Sequence, residues 1–235
     1  MLRILALAFT LVFSTSGLAA AQEAPADDPG FPNYQPRDGE VIAFDVYRGR
    51  SDFGSHEVRF SREGGELLTE TRIRLRAGFG PITVFRYEHD ARARWNGDTM
   101  VSMTSRTLKD GDTFEIDART EDGALVTSGV AEGGREISER FTSPILPSSH
   151  WHAYPIGAER MLNTETGEPM AISVTYMGRE EIEADGGTIQ ADRYRLEGSL
   201  TLDLWYDADG RWAACAFDAR GQSIRYVRRA DPVSG

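Results

Sequence analysis

Thr69-Glu70-Thr71-Arg72-Ile73-Arg74-Leu75-Arg76-Ala77 and, after a break holding glycine and proline, Phe85-Arg86-Tyr87-Glu88-His89-Asp90-Ala91-Arg92-Ala93-Arg94-Trp95 form the stretch that decides the fold. Successive side chains of a β-strand point to opposite faces, so a period of two separates an inner set from an outer one. The odd positions carry Ile73, Leu75, Phe85, Tyr87 and Trp95, and the even positions carry Arg72, Arg74, Arg76, Arg86, Glu88 and Asp90. Keeping both odd sets inside requires odd to pair with odd, which a three-residue loop at Phe79-Gly80-Pro81 permits. His89 then lies on the inner face with Thr71 as its expected neighbour, and the even row of charges faces solvent.

Outward from this hairpin, the same alternation runs from Glu40 to Arg229. Turn signals punctuate it at Glu63-Gly64-Gly65, Asn96-Gly97-Asp98, Asp110-Gly111, Asp122-Gly123, Asp185-Gly186-Gly187 and Arg220-Gly221. A second hairpin follows from Asp207-Ala208-Asp209-Gly210, which fits a type I turn closed by a left-handed glycine and pairs Tyr206 with Trp212. Its expected inner face is Leu202, Leu204, Tyr206, Trp212, Ala214 and Ala216. Short strands at this spacing predict an all-β fold, an antiparallel meander forming a barrel or a strongly curved sheet over a single domain, residues 40–229.

One segment, residues 144–169, breaks the alternation. It holds Pro144, Pro147, Pro155 and Pro169, and is expected to be a long irregular loop or lid with a short helix near residues 158–163. His150, Trp151, His152 and Tyr154 concentrate there, which makes it the first place to look for a site. An extended His150-x-His152 pair projects on one side and suits zinc or copper, but no third ligand stands at a recognisable spacing. Ser148 and Ser149 lie beside His150 without a Gly-x-Ser-x-Gly elbow. His56 and His89 read as core histidines and Cys215 as a packed thiol. Glu88 with Asp90, or Asp203 with Asp207, supply carboxylate pairs for acid–base work, yet all sit on expected solvent faces or turns. No catalytic residue, metal site or cofactor motif stands out.

The N-terminus reads as an export signal over residues 1–21: Arg3, an apolar run through Phe13, then Ala19-Ala20-Ala21. That run is about 10 residues, short of the roughly 20 of a spanning helix, so no transmembrane segment is expected after cleavage. No cysteine follows it, so a lipid-anchored form is not expected either, and the expected location is periplasmic or secreted. Residues 22–39 form a Pro-rich, disordered tail, and residues 230–235 a second tail. The net charge is −11 and becomes −12 once Arg3 leaves with the signal, which argues against nucleic acid as a partner. Cys215 is the only cysteine, so no internal disulfide forms. The sequence sets no oligomeric state.

Several motifs resemble an uncharacterised family of secreted bacterial proteins known only as a domain of unknown function. They are Phe44-Asp45-Val46-Tyr47-Arg48-Gly49, Gly54-Ser55-His56, Ile82-Thr83-Val84-Phe85-Arg86-Tyr87-Glu88-His89 following Phe79-Gly80-Pro81, Leu162-Asn163-Thr164, and Tyr194-Arg195-Leu196 with Asp203-Leu204-Trp205-Tyr206-Asp207. The resemblance transfers no chemistry. More distantly, the pattern is similar to envelope half-barrels that carry lipid or lipoprotein acyl chains. The leading expectation is a periplasmic module binding or carrying a lipid or another apolar small molecule, with His150, Trp151, His152, Tyr154, Tyr87, Trp95, Tyr206 and Trp212 around the ligand. The alternatives are an envelope interaction or structural protein, and an envelope hydrolase or metal enzyme using residues 148–154.

Overall fold

Tight turns decide the course of the chain. At Asp110-Gly111, Asp122-Gly123 and Asp185-Gly186 both central residues have positive φ, the geometry of a two-residue hairpin loop whose twist matches that of the flanking strands. Aspartate tolerates the first of these positions and glycine the second. The computed structural model describes residues 33–79 and 82–231. The signal reading at residues 1–21 and most of the tail therefore lie outside the described residues. The last part of that tail, residues 33–39, packs against the sheet: the Tyr34 ring meets Phe60 edge-on at 6.2 Å, and Gly39 N–H donates to Phe60 O.

Two meanders make one sheet. The first runs β1 (Val41–Arg48), β2 (Ser51–Glu63), β3 (Glu66–Phe79), β4 (Ile82–Asn96), β5 (Thr99–Lys109), β6 (Asp112–Glu121), β7 (Ala124–Val130) and, past a single 3-10 turn, β8 (Glu136–Phe141). A long segment follows with the short strands β9 (Arg160–Leu162) and β10 (Pro169–Ala171). The second meander is β11 (Ser173–Ala184), β12 (Gly187–Glu197), β13 (Leu202–Tyr206), β14 (Trp212–Ala219) and β15 (Gln222–Arg228). β15 pairs with β1, so the two meanders fuse into a 13-stranded antiparallel sheet, open between its edge strands β8 and β11. The all-β, strongly curved sheet expected from the alternation is what forms.

Registers refine the sequence reading. β3 and β4 pair odd with odd, Leu75 with Tyr87 and Ala77 with Phe85. Phe79 pairs with Ile82 at the end of the ladder, after a register shift beside Gly78; the loop expected at Phe79-Gly80-Pro81 lies in part outside the described residues. His89 lies opposite Ile73 rather than Thr71; its hydroxyl partner is Thr107 on β5, at 2.8 Å from Nδ1. In the β13–β14 hairpin Tyr206 does pair with Trp212, and Gly210 takes φ 74°. A bulge then intervenes at Ala213 and exchanges the faces of β14, so Cys215 and Phe217, not Ala214 and Ala216, stand opposite Leu204 and Leu202.

The outer face is a lattice of ion pairs. Arg74 binds Asp90 through both carboxylate oxygens, Arg92 binds Glu70, and Arg193 and Arg195 share Asp203. Arg228, by contrast, is buried at the end of β15 and joins Asp185 to Asp207. Asp90, Asp203 and Asp207 are thus tied to arginine, and Glu88 to Arg86.

Candidate functional site

Residues 144–169 were expected as a long irregular loop or lid with a short helix near residues 158–163. The chain instead enters the concave face of the sheet as a plug. Residues 160–162 form β9, paired with β10, and Pro147 bridges Leu162 in parallel. Apolar burial explains the insertion: Trp151, Ala153, Tyr154, Met161 and Leu162 are all buried. Trp151 lies edge-on between Phe60 at 5.3 Å and Trp95 at 5.1 Å. The sheet also holds the plug's backbone. Ser105 Oγ donates to Thr164 O and Thr127 Oγ1 to Gly167 O, and Tyr206 OH shares its one proton between the carbonyls of His150 and His152, 3.1 Å from each.

Plug and sheet do not fill the concave space. Between them lies a cavity of about 690 Å³. From β2 to β4 it is lined by Phe53, His56, Ile73, Leu75, Phe85 and Tyr87. From β13 to β15 come Leu202, Trp212, Cys215, Phe217, Ile224 and Tyr226, and the plug adds Ser148, Ser149, His150, Met161 and Thr164. Tyr87, Trp212 and His150, all singled out in the sequence, border this space. Trp95, Trp151, His152, Tyr154 and Tyr206 do not; they are buried in the packed layer that anchors the plug, where Trp151 meets Trp95 and His152, and His152 meets Tyr154.

Each histidine has a distinct environment. His89 Nδ1 meets Thr107 Oγ1, and its Nε2 faces Thr164 Oγ1 at 3.5 Å, which in turn contacts Ser148 Oγ at 3.1 Å. Burial pushes its pKa down to about 4, against the opposing pull of Glu165 and Asp90. His56 is buried among Phe44, Trp212 and Tyr226, and neither ring nitrogen has a hydrogen-bond partner. Burial, with the nearby imidazoles of His150 and His89, pushes it down to about 3. His152 Nε2 lies 3.2 Å from Ser149 Oγ, and the imidazole's other partners are the backbone of Ala153, at 3.4 Å from Nδ1, and of Pro147, with no carboxylate to orient it. Burial pushes His152 down to about 3 as well.

His150 differs from the rest. Its backbone is left-handed, φ 59°, an uncommon state for a residue with a side chain. Its Nδ1 lies 3.0 Å from Tyr154 OH, which also lies 2.8 Å from Pro147 O. Among the described residues no group of three or more His, Cys, Asp and Glu side chains is placed to hold a metal. At one flank of the cavity Glu165 accepts from Lys109 Nζ at 2.8 Å and from Tyr87 OH at 3.1 Å.

Sequence reasoning missed Phe53, Cys215, Phe217 and Tyr226 as lining residues. The alternation of Ile224, Tyr226 and Arg228 was the available signal for β15, whereas the bulge hid the face of β14.

A curved antiparallel sheet around an inserted segment and a residual apolar cavity define the class: an all-β, barrel-like protein with a plugged interior. The chain belongs to the family described as Domain of unknown function (DUF6134), whose model matches residues 44–229. Among solved structures it is similar to the crystal structure of a beta-barrel-like protein of Domain of Unknown Function DUF1849 from Brucella abortus. That similarity has a TM-score of 0.55 at 11% identity and covers 80% of this chain and 94% of that one. At this identity the likeness shows the fold alone. No curated protein matches the chain.

Proposed function

We propose that this protein is a binding or carrier module for an apolar small molecule, lipid-like in character, held between the curved sheet and the plug. The observation that carries the reading is the cavity itself. Its volume falls in the range of small-molecule sites, and its walls are mainly apolar and aromatic, with a few polar groups and the charged Arg48, Lys109, Glu165 and Arg220 among the lining. A protein interior normally packs to crystal density, so an unfilled space of this size beside large aromatic residues favours an occupant. The export signal read at residues 1–21 supports placing the module outside the cytoplasm, where apolar molecules need a carrier across water.

The test is titration with the neutral dye N-phenyl-1-naphthylamine, whose emission rises in apolar surroundings. The wild-type protein is expected to bind it saturably near one equivalent. Ile73→Trp, which places an indole in the cavity, is expected to weaken binding at least ~10-fold while circular dichroism stays sheet-like. No saturable binding by the wild type, or undiminished binding by a folded Ile73→Trp, overturns the reading. Organic extracts of protein purified from its native cells would then identify the occupant by mass spectrometry.

A further inference from the structure

We propose, building on the cavity reading above, that the ligand is an uncharged molecule with a hydroxyl group, and that His150 Nε2 accepts the hydrogen bond from that hydroxyl. The assignment follows from proton bookkeeping at Tyr154. Pro147 O is a carbonyl and has no proton to give, so its 2.8 Å contact with Tyr154 OH is a donation by the tyrosine. That uses the single phenolic proton. The 3.0 Å contact between Tyr154 OH and His150 Nδ1 must then be an N–H donation from the imidazole. A neutral imidazole carries one N–H, so Nε2 is left as a bare acceptor. Nε2 makes no hydrogen bond to any described residue, yet it is not among the buried unpartnered atoms, and the ring borders the cavity. It is therefore an accessible, unmatched acceptor in apolar surroundings.

The rest of the site agrees. The Tyr206 O–H, shared between the His150 and His152 carbonyls, helps fix the plug around the left-handed His150 backbone, and strained backbone states of this kind cluster at ligand-binding sites. Burial alone pushes His150 down to about 4, with no neighbouring charge acting on it, so a ligand carboxylate or phosphate would find no counter-charge there. Trp212 lies between His150 at 5.8 Å and His56 at 5.1 Å, and His56 also lacks partners. The cations that line the cavity, Arg48, Lys109 and Arg220, act on neither imidazole, so the wall around His150, Trp212 and His56 has polar demand without formal charge, which a hydroxyl satisfies and a plain hydrocarbon does not.

Competition against the dye decides the matter with 1-decanol and decyl methyl ether, which share a chain and an oxygen but differ in the O–H donor. Wild type is expected to favour the alcohol about tenfold, the worth of one hydrogen bond. His150→Phe should bind the two alike. Because a left-handed phenylalanine adds strain, the imidazole ¹⁵N spectrum of the wild type supplies a second readout. It should show the Nδ1–H tautomer, with the Nε2 resonance moving on addition of decanol and not of the ether. Equal competition by both probes in wild type overturns this inference and leaves the cavity reading standing, as does a preference that survives His150→Phe. Failure of the dye itself to bind overturns both.

Discussion

His56 on β2 and His89 on β4 are both buried imidazoles flanking Ile73 of β3, but only His89 has its hydrogen bonds met, by Thr107 and Thr164. An unmatched buried polar group costs on the order of 1–3 kcal/mol, and replacing it with an apolar group of similar shape removes that cost. His56→Leu is therefore expected to leave the unliganded protein as stable as wild type, or more stable by about 1 kcal/mol. His89→Leu strands the Thr107 hydroxyl and is expected to lose ~1–3 kcal/mol. Urea unfolding at pH 7 compares the two. A loss at His56 as large as at His89 would show that a bound water or ligand already satisfies it. Sequence alone placed both histidines in the interior, because each falls on an apolar alternation. It could not tell them apart, since the hydroxyl that serves His89 comes from β5 and depends on a register between strands.

At the scale of the strand, bulges explain what the alternation concealed. β1 and β2 shift register between Val46 and Tyr47, where Gly54 and Asp52 pair around an extra residue, Phe53. That shift turns Phe53 inward to stack on Phe85, with centroids 5.5 Å apart, although Gly54 and His56 also face β3 on the inner side. Only glycine fits the bend: its φ is 142°, and a Cβ would lie 1.9 Å from Arg74 O. Gly54→Ala is expected to cost at least ~2 kcal/mol through strain and separation of β2 from β3. It should also weaken dye binding by displacing Phe53 from the cavity wall. An alanine variant with unchanged urea midpoint and unchanged binding would refute the bulge as the device that aims Phe53. The same logic accounts for β14, where Ala213 exchanges the faces and brings Cys215 and Phe217 to the cavity. Strand existence and most pairings were legible because a two-residue period and Asp-Gly turns are local properties. The bulges were not, for they depend on what the neighbouring strand presents. The plug was legible only as a break in pattern: proline and scattered aromatics announce irregular chain but not whether it covers a sheet or enters it.

For the molecule as a whole, the four histidines have a shared consequence. Burial holds all of them below the ordinary value of 6.5: His56 and His152 near 3, His89 and His150 near 4. Depressed values mean that the unfolded chain takes up protons at a pH where the fold still refuses them. Stability from this source is fully present above pH 6.5, falls as the pH drops below it, and is exhausted only near the folded values of 3 to 4. Each histidine contributes up to about 1.4 kcal/mol per pH unit within that window. Acting together they are large against a typical total stability of roughly 5–15 kcal/mol. Carboxylates released from arginine, such as Asp203, titrate lower, so the interval from pH 6.5 to 5 isolates the imidazoles. The unfolding free energy is expected to fall steeply across that interval, with a slope at pH 5 to 5.5 corresponding to roughly three to four protons taken up on unfolding. His56→Leu should reduce that uptake by about one proton without lowering stability at pH 7. A flat profile between pH 6.5 and 5 would mean that the imidazoles reach water in the folded state. The cavity would then be a wet channel, and the case for an uncharged apolar ligand would fail with it.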